Sequence, residues 1–363
     1  MKKKNMEKKK RQNVRTRDWE KHHEFSYTHD LVKHRRALTK LPESAAELNP
    51  LPKDFEPNGM VISHSKKWAF VHLDNQERLC MIDERLKEQE STLLAPGDAV
   101  LVEFEDEDAI VRGVGPRVTK LSRPAGPRGN PPEQVFAANV DILIIVASVA
   151  QPRFKEGLVD RFLIAARIGG VEPILCINKM DLAEDDPPQI DAYRNLGIHV
   201  FPTSCETGMG IDALREAIKG KRCVLSGHSG VGKSSLLNAL DPNLEVLTDE
   251  VSQATEKGRH TTSTARLYHL KDNVWIIDTP GIRALGLLGV SAEELACYFP
   301  EMAEAATGCH FYDCTHTHEP KCAVRQALES GQITQARYDS YLRIRASMTS
   351  EDGLTPGRFG TRR

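Results

Sequence analysis

A glycine-rich stretch, CVLSGHSGVGKSS at Cys223–Ser235, contains the residues best suited to chemistry in this 363-residue chain. Gly227, Gly232, Lys233 and Ser234 match the phosphate-loop pattern G-x-x-x-x-G-K-[ST]. Glycines let the backbone wrap a polyphosphate with its N–H groups pointing inward. We expect the Lys233 ammonium to contact the β- and γ-phosphates and the Ser234 hydroxyl to bind Mg²⁺. A glycine-rich turn without a ligand is disfavoured, because an apolar strand precedes the loop and a helical pattern follows it.

A second motif, Asn178-Lys179-Met180-Asp181, indicates which base the nucleotide carries. The Asp181 carboxylate can accept hydrogen bonds from the ring N1–H and the exocyclic amine of guanine together. Adenine offers no such pair of donors, so an adenine nucleotide would leave a buried acceptor unpaired. The Lys179 stem can cover the base, and Asn178 can connect neighbouring loops. The sequence therefore favours GTP over ATP and disfavours an ATP-using kinase.

A third loop, Thr203–Gly208 (TSCETG), follows the next predicted strand and is expected to meet the guanine O6 through a backbone N–H. A Ser/Thr/Gly turn without a ligand is the alternative for this weaker signal. With the other two loops it completes the predicted GTP-binding residues, which are Asn178, Lys179, Met180, Asp181, Ser204, Cys205, Gly227, His228, Ser229, Gly230, Val231, Gly232, Lys233, Ser234, Ser235 and Gly281.

Two further segments are expected to sense the γ-phosphate. Asp278-Thr279-Pro280-Gly281 ends an apolar strand, so Asp278 lies on the Mg²⁺ side and the Gly281 N–H faces the γ-phosphate. The polar segment around Thr261 and Thr262 is placed as a switch loop, and one of these hydroxyls can close on Mg²⁺. The predicted Mg²⁺-binding residues are Ser234, Thr261 and Asp278.

The expected hydrolytic apparatus is unusual. Ile282 follows Gly281, where many GTPases have a glutamine that orients the attacking water. An isoleucine cannot do this, so we expect slow intrinsic turnover and assign the water-positioning role to His260. An exposed loop histidine is the alternative interpretation of His260. The predicted catalytic residues are His260, Lys233 and Thr261.

The order of these motifs is permuted. In an ordinary small GTPase the phosphate loop comes first, and the base-reading loops come last. Here Asn178–Asp181 and the Ser204 loop precede the phosphate loop, and the two γ-phosphate segments follow it. The same sheet can form from a circularly permuted chain, because the termini of a domain are often close together.

A cluster of cysteines near the C-terminus predicts a metal site. Cys309, Cys314, His316 and Cys322 have the spacing C-x4-C-x-H-x5-C. Three thiolates and one imidazole form a closed tetrahedral set for a structural Zn²⁺. Nearby His310 and His318 are alternative ligands, and free buried cysteines are the alternative to a metal.

The surrounding elements indicate a multidomain α/β protein. Five short β-like runs predict an oligonucleotide-binding (OB) type β-barrel, with a generic small β domain as the alternative. Alternating strands and helices then predict a doubly wound α/β domain, followed by a mainly helical region. The predicted divisions are a basic disordered arm at 1–57, the barrel at 58–122, a Pro/Gly linker at 123–134, the permuted GTPase domain at 135–290, the zinc-binding helices at 291–346 and a disordered tail at 347–363.

Composition and charge restrict the class of protein. A hydrophobic content of 40% and a charged content of 28% are typical of soluble proteins, and no apolar run approaches the ~18 residues of a membrane span. Residues 1–40 carry fourteen Lys/Arg and five Asp/Glu, although the net charge is −2. This asymmetry favours a polyanionic partner, with a solvated tail as the alternative. Clustered cysteines in a nucleotide-binding chain predict a reducing cytoplasm rather than disulfides.

Together these motifs resemble the circularly permuted, ribosome small-subunit-dependent GTPases. The similarity extends over residues 59–346 and is most specific at EQVFAANVD, NKMDL, SGHSGVGKSSLLN, KGRHTT, DTPGIR and CHFYDCTHTHEPKCAV. It implies an OB-type barrel, a permuted GTPase domain and a zinc domain. It also implies zinc ligands at Cys309, Cys314, His316 and Cys322, and a switch histidine at His260. The family commonly has Gln at position 228, where this chain has His228. GTP binding should survive this difference because the loop acts through its backbone.

The resemblance implies a function in the late maturation of the small ribosomal subunit. We expect a cytoplasmic, monomeric GTPase that binds this subunit and its rRNA with GTP and is released when GDP forms. Mg²⁺ and one Zn²⁺ are the expected cofactors, and no membrane is involved. A GTP-gated regulator of a non-ribosomal RNA is the alternative function.

Overall fold

The structure is a computed structural model that describes residues 56–88, 94–124, 133–244, 265–279 and 287–352. These residues form a closed barrel, a two-stranded ribbon, a six-stranded sheet with helices, and a C-terminal group of helices. The predicted arm at 1–57 lies outside the described residues except for its last two. Within the described ranges, no helix is both long enough and apolar enough to span a bilayer.

The first part of the fold is a closed five-stranded barrel, which confirms the predicted OB-type architecture. Inward side chains alternate with outward ones, and Val61, Ala69, Val71 and Val111 are fully buried in its core. The strand order is β1-β2-β3-β5-β4, and β4 pairs back onto β1 to close the barrel. Its strands are β1 (Gly59–His64), β2 (Trp68–Leu73), β3 (Gln76–Ile82), β4 (Ala99–Glu105) and β5 (Asp108–Val114).

A two-stranded antiparallel ribbon connects the barrel to the sheet. It consists of β6 (Lys120–Pro124) and β7 (Glu133–Ala138). The predicted linker, residues 123–134, therefore begins and ends within paired strands, and residues 125–132 lie outside the described ranges. Leu121 is buried in this ribbon, and its apolar neighbours in β7 pack into the same core as the sheet.

The second part is a six-stranded sheet with the order β10-β9-β8-β11-β13-β12. All pairs are parallel except β12–β13, and β8 is buried along its whole length, as its continuous apolar run predicts. The strands are β8 (Ile142–Ser148), β9 (Glu172–Asn178), β10 (His199–Pro202), β11 (Arg222–Gly227), β12 (Arg266–Leu270) and β13 (Val274–Asp278).

Within the described residues, four helices accompany the sheet and cover its two faces with separate apolar cores. Apolar side chains at helical spacing explain these helices, as in Ile211, Leu214 and Ile218 of the third. They are α1 (Glu156–Gly169), α2 (Pro188–Arg194), α3 (Ile211–Ile218) and α4 (Lys233–Leu240). Together with the parallel strands, they confirm the doubly wound α/β prediction.

The barrel packs against the β12 edge of the sheet. The ring of His72 in β2 meets the ring of Trp275 edge-on at a centroid distance of 4.9 Å. His269 of β12 stacks on the same indole at 4.1 Å. An ion pair of 2.9 Å between Arg266 and Glu77 joins the two parts beside these rings.

The C-terminal helices share a third apolar core with the end of α1. They are α5 (Pro300–Ala306), α6 (Ala323–Glu329) and α7 (Gln335–Asp352). The predicted mainly helical region begins with a short 3₁₀ turn at Leu295–Tyr298 rather than with an α-helix. The α-helix begins instead at Pro300, because proline fits the first helical turn, where no N–H partner is needed.

The last helix differs from the prediction at its end. The sequence predicts a tail from residue 347, yet α7 continues to Asp352. Met348 explains part of this extension, because its side chain is buried in the C-terminal core. Arg161 of α1 also donates a 2.6 Å hydrogen bond to the Ser347 hydroxyl and holds this turn in place.

A buried polar network joins α1 to α7. Asp160 is buried and accepts hydrogen bonds from Arg337 and, at 2.9 Å, from the Tyr193 hydroxyl. Arg337 also donates a 2.6 Å bond to Glu301 of α5 and lies 4.6 Å from the Phe299 ring centroid. Burial raises the pKa of Asp160, and the charge of Arg337 opposes that shift. α1 and α7 are therefore joined by the buried charges of Asp160 and Arg337, each of which needs the other as its partner.

This network gives a prediction for stability. We expect R337M to lower the free energy of unfolding by about 3–5 kcal/mol, because it leaves a buried carboxylate without its partner. The double variant D160N/R337M should regain part of the loss. Urea denaturation provides the measurement, and R343M, on an exposed position of the same helix, is the matched control. Equal losses of unfolding free energy for R337M and R343M would contradict the role assigned to Arg337.

Candidate nucleotide site and metal centre

The predicted nucleotide loops meet at one edge of the sheet. Strands β8, β9, β10, β11 and β13 are parallel, so the loops at their carboxyl ends lie together. These loops follow Asn178 in β9, Pro202 in β10, Gly227 in β11 and Asp278 in β13. The permuted chain thus brings its base-reading and phosphate loops to the same place, as expected from the sequence.

The phosphate loop runs from Gly227, the last residue of β11, to Lys233, the first residue of α4. Gly227 passes so close to the Val146 carbonyl that a Cβ would lie 2.2 Å from its oxygen. Gly232 has a φ of 95°, and a Cβ there would lie 2.4 Å from Asn178 Nδ2. The Lys233 ammonium donates to the carbonyls of Gly227 at 3.2 Å and His228 at 3.1 Å. Lys233 therefore lies within the curve of the loop, as the motif predicts. Ser229, Gly230 and Val231 complete the curve.

Asn178 connects the base-reading loop to the phosphate loop. Its Nδ2 donates a 3.0 Å hydrogen bond to the Val231 carbonyl. Its Oδ1 accepts from the Thr203 hydroxyl at 3.4 Å and from the Cys205 thiol at 3.5 Å. Burial raises the pKa of Cys205, so its sulfur keeps the proton that it donates. The side chain of Asn178 is therefore fixed at both ends.

The other residues predicted to read the base are also brought together. Lys179 has a left-handed backbone and donates to the Gly230 carbonyl at 2.8 Å and to the Gln151 carbonyl. The Ser204 hydroxyl donates a 2.5 Å bond to one carboxylate oxygen of Asp181, while Met180 packs into the core beneath. A carboxylate oriented in this way retains lone pairs for the donors of a guanine ring. The contact to Gln151 is not visible in the motif, because it is made by a backbone carbonyl.

The predicted Mg²⁺ side lies between β11 and β13. Ser234 and Ser235 occupy the first turn of α4, and Asp278 pairs with Leu225 across the parallel strands. Thr279 donates a 2.9 Å hydrogen bond to the carbonyl of Leu225 and fixes the end of β13. The remaining predicted residues, His260, Thr261, Gly281 and Ile282, lie outside the described ranges.

The four predicted zinc ligands form one cluster. The ligand atoms of Cys309, Cys314, His316 and Cys322 all lie within 4.8 Å of one another. His316 Nδ1 is 3.6 Å from the Cys309 sulfur and 3.5 Å from the Cys322 sulfur, and these sulfurs are 4.0 Å apart. Sulfurs bound to a tetrahedral Zn²⁺ at 2.3 Å would be separated by about 3.8 Å. The donor set therefore fits zinc. The two alternative ligands proposed from the sequence, His310 and His318, are not in the cluster.

Hydrogen bonds favour a thiolate at Cys309. Burial raises the pKa of this thiol, but hydrogen bonds with His316 and with the backbone N–H groups of Val324 and Ala323 bring it down to about 6. A thiolate is the form of cysteine that binds metal. The Cys309 sulfur is therefore prepared electrostatically for a cation, whereas burial raises the pKa of the Cys314 and Cys322 thiols.

Glu319, which is not among the residues predicted from the sequence, organises the ligand loop. Its carboxylate accepts from the backbone N–H groups of Thr315 at 2.9 Å, Thr317 at 3.0 Å and His318 at 3.2 Å. Burial raises the pKa of Glu319, but hydrogen bonds from the Thr315 hydroxyl and from the backbone N–H groups of Thr315 and His318 lower it to about 2 overall. Its contribution to stability is therefore complete above the ordinary value of 4.5 and is lost as the pH falls toward 2. The signal in the sequence that points to Glu319 is its position as an acidic residue between the Cys and His ligands.

Two tyrosines of α7 support the same loop from the other side. The Tyr338 hydroxyl donates a 2.6 Å bond to the His316 carbonyl, and Tyr341 donates a 2.9 Å bond to the Thr315 carbonyl. His316 itself has a left-handed backbone with a φ of 59°. The imidazole is thus oriented by backbone contacts on both sides of the loop.

We expect E319Q to loosen this loop without removing a metal ligand. An amide has only one acceptor oxygen and would turn an NH₂ group toward backbone donors. Zinc should then pass to a colorimetric chelator about tenfold faster than from the wild type. D313N removes an exposed carboxylate from the same loop and is the matched control. Similar release rates for E319Q and D313N would rule out the organising role.

Comparison with known proteins agrees with this geometry. The family model described as RsgA GTPase matches residues 114–288. A relative from Gemmatimonas aurantiaca is 41% identical over 69% of this chain and 83% of its own length. One from Sodalis glossinidius is 38% identical over 87% of this chain and 92% of its own. Both are named small ribosomal subunit biogenesis GTPase RsgA.

Two solved structures share the fold. YjeQ from Thermotoga maritima has a TM-score of 0.64 at 31% identity, covering 81% of this chain and 99% of that one. YloQ, described as a circularly permuted GTPase, has a TM-score of 0.61 at 29% identity, covering 85% and 100%. These similarities, the permuted loop order and the barrel confirm the resemblance noted from the sequence. The chain belongs to the RsgA family of circularly permuted GTPases.

Proposed function

We propose that this GTPase acts on the small ribosomal subunit during its late maturation. It binds the immature subunit with GTP, hydrolyses GTP to GDP and phosphate when the subunit stimulates it, and leaves after hydrolysis. The observation that carries this proposal is the similarity to relatives named small ribosomal subunit biogenesis GTPase RsgA over 83–92% of their length. The barrel, the permuted GTPase sheet and the Cys/His helices occur together in one chain.

The proposed GTP site uses the loops at the carboxyl edge of the sheet. Asp181 reads guanine, Lys233 neutralises the β- and γ-phosphates, and the phosphate-loop backbone donates to their oxygens. Ser234 and Asp278 bind Mg²⁺, directly or through water, and Thr261 completes the site when GTP is bound. When bound, Mg²⁺ would neutralise charge on the phosphates.

We assign the positioning of the attacking water to His260. This assignment rests on the sequence, because Ile282 cannot orient water and His260 belongs to the predicted switch loop. An imidazole can accept a proton from water and is the side chain most often used for this purpose. Stimulation then results when binding of the subunit brings the imidazole of His260 to the attacking water.

The Cys₃His cluster is proposed to hold one structural Zn²⁺. Its four ligands leave no open coordination position, so the metal supports the fold and takes no part in hydrolysis. Thiol ligands of this kind persist in a reducing cytoplasm, which is where we place the protein. We propose a monomer as the active form.

The barrel is proposed to contact rRNA through an apolar outer face. Trp68 and Phe70 of β2 are 44% and 41% exposed, and Leu79, which pairs with Phe70 across the strands, is 51% exposed. Lys66 and Lys67 lie in the turn before β2. Aromatic side chains beside cations suit the stacking of unpaired bases next to phosphates. The basic segment 1–40 supplies further phosphate contacts in this proposal.

GTP hydrolysis with and without small subunits is the decisive experiment. We expect slow turnover by the protein alone and strong acceleration by small subunits, with large subunits as the control. H260A should lower the stimulated rate by about 100-fold, as the loss of a general base does, while GTP affinity changes little. Turnover that small subunits leave unchanged would refute the proposal.

Co-sedimentation separates this proposal from its alternative, a GTP-gated regulator of another RNA. The ribosomal function requires tight binding to small subunits with a non-hydrolysable GTP analogue and weak binding with GDP. Binding that does not distinguish the nucleotides, or that occurs only with unrelated RNA, would favour the alternative.

A surface variant tests the contact between barrel and rRNA. We expect the double variant W68A/F70A to weaken binding to small subunits by at least about tenfold, since base stacking contributes about 1–3 kcal/mol per base. The matched control is V118A, which shortens another exposed apolar side chain. Melting temperatures verify that both variants fold. Equal affinities for W68A/F70A and V118A would place the rRNA contact elsewhere.

A further inference from the structure

The phosphate loop is braced from outside by the segment that connects β8 to α1. Lys179 donates to carbonyls of both segments, at Gln151 of the connection and at Gly230 of the loop. The Ser148 hydroxyl bonds to the Pro152 carbonyl at 2.6 Å and fixes the start of the connection. The connection ends at Lys155, the residue immediately before α1.

Lys155 makes a second bridge to the loop through His228. Its ammonium nitrogen is 2.9 Å from Nε2 of His228, and Nδ1 of the same ring is 2.7 Å from the Ser229 carbonyl oxygen. An ammonium group can only donate and a carbonyl oxygen can only accept. Both contacts are therefore hydrogen bonds only when the ring is neutral and has its proton on Nδ1.

Most of the charged groups near the ring are cations. Lys155 faces Nε2, the ammonium groups of Lys179 and Lys233 bind carbonyls of the same loop, and Arg153 lines the same cleft. The acidic residue next to Lys155, Glu156, accepts a hydrogen bond from Gln189 instead. A protonated His228 would turn an N–H toward the Lys155 ammonium and add a like charge.

The geometry points to Lys155 as a positioning residue for the phosphate loop, acting through the neutral ring of His228. Lys155 holds His228 and the Ser229 carbonyl in place, and so fixes the outer half of the loop whose N–H groups face the phosphates. This inference rests on the proposed binding of GTP to the loop. A histidine side chain changes its charge between pH 5 and 8, whereas a glutamine side chain does not. The presence of His228, where the family commonly has Gln, should therefore make nucleotide binding depend on pH.

The pH profile of nucleotide affinity tests this role. The measurement is the Kd of a fluorescent GTP analogue with Mg²⁺ at pH 8 and pH 6 for the full chain without ribosomes. When the pH falls from 8 to 6, the Kd of the wild type should rise by a factor about threefold larger than the corresponding factor for H228Q. A change of this size is expected for the loss of one exposed contact to a charged group. Protonation of the nucleotide itself affects the wild type and H228Q equally. Comparing the two proteins at the same pH therefore removes that effect. K155Q should bind more weakly than the wild type at pH 8 and show the shallow profile of H228Q.

R153Q is the matched control, because it removes a neighbouring cation that makes no bond to the ring. It should keep the pH profile of the wild type. Parallel profiles for the wild type and H228Q, or equal effects of K155Q and R153Q, would overturn the inference. Melting temperatures at both pH values verify the fold of each variant. Binding of GTP by the wild type at pH 8 tests the proposed function separately, because that measurement involves no change at Lys155 or His228.

Discussion

The parallel pairing of β8 with two different strands is the constraint on which the nucleotide site depends. β8 pairs with β9 on one side and with β11 on the other. The base-reading loop after β9 and the phosphate loop after β11 are therefore close in space, whichever comes first in the chain. The hydrogen bond from Asn178 to the Val231 carbonyl then locks the two loops together across this short distance. Only a glycine at position 232 leaves room for the Asn178 amide.

Permutation changes what the nucleotide site is connected to. β13 ends beside the phosphate loop, and only seven residues separate Thr279 from Leu287, which packs against the core of the C-terminal helices. A second connection leaves the opposite side of the site through α1, which begins next to Lys155 and is bound to α7 by Asp160 and Arg337. The C-terminal region is thus joined to the nucleotide site through both a covalent segment and a packed helix. In the usual motif order, the segment after this strand would continue into the base-reading half instead.

The sequence was most informative where function is carried by short local patterns. The phosphate loop, the guanine motif and the Cys₃His spacing each lie within about sixteen residues, so the backbone alone brings their members together. The sequence was less informative where partners are distant. Arg337 and Asp160 are 177 positions apart, and nothing local marks them as a pair. The Pro/Gly loop between β6 and β7 resembles a domain boundary, so the sequence predicts a linker there. The ribbon forms because β6 and β7 pair with each other, and neither strand shows this pairing in its own sequence. β12 follows a long polar segment and likewise depends on its pairing with β13.

The metal-binding loop illustrates how such distant contacts depend on a local one. α5 and α6 have seven residues each, too few to be stable alone, and Cys309–Cys322 contains no long helix or strand of its own. The loop is instead held by Glu319, by the two tyrosines of α7 and by the ligand cluster. The tyrosines join the loop to the same helix that carries Arg337. Binding of zinc, as proposed, would therefore stabilise α7 and through Arg337 the position of α1. A metal site remote from the phosphates would in this way contribute to the alignment of the helix that begins beside them.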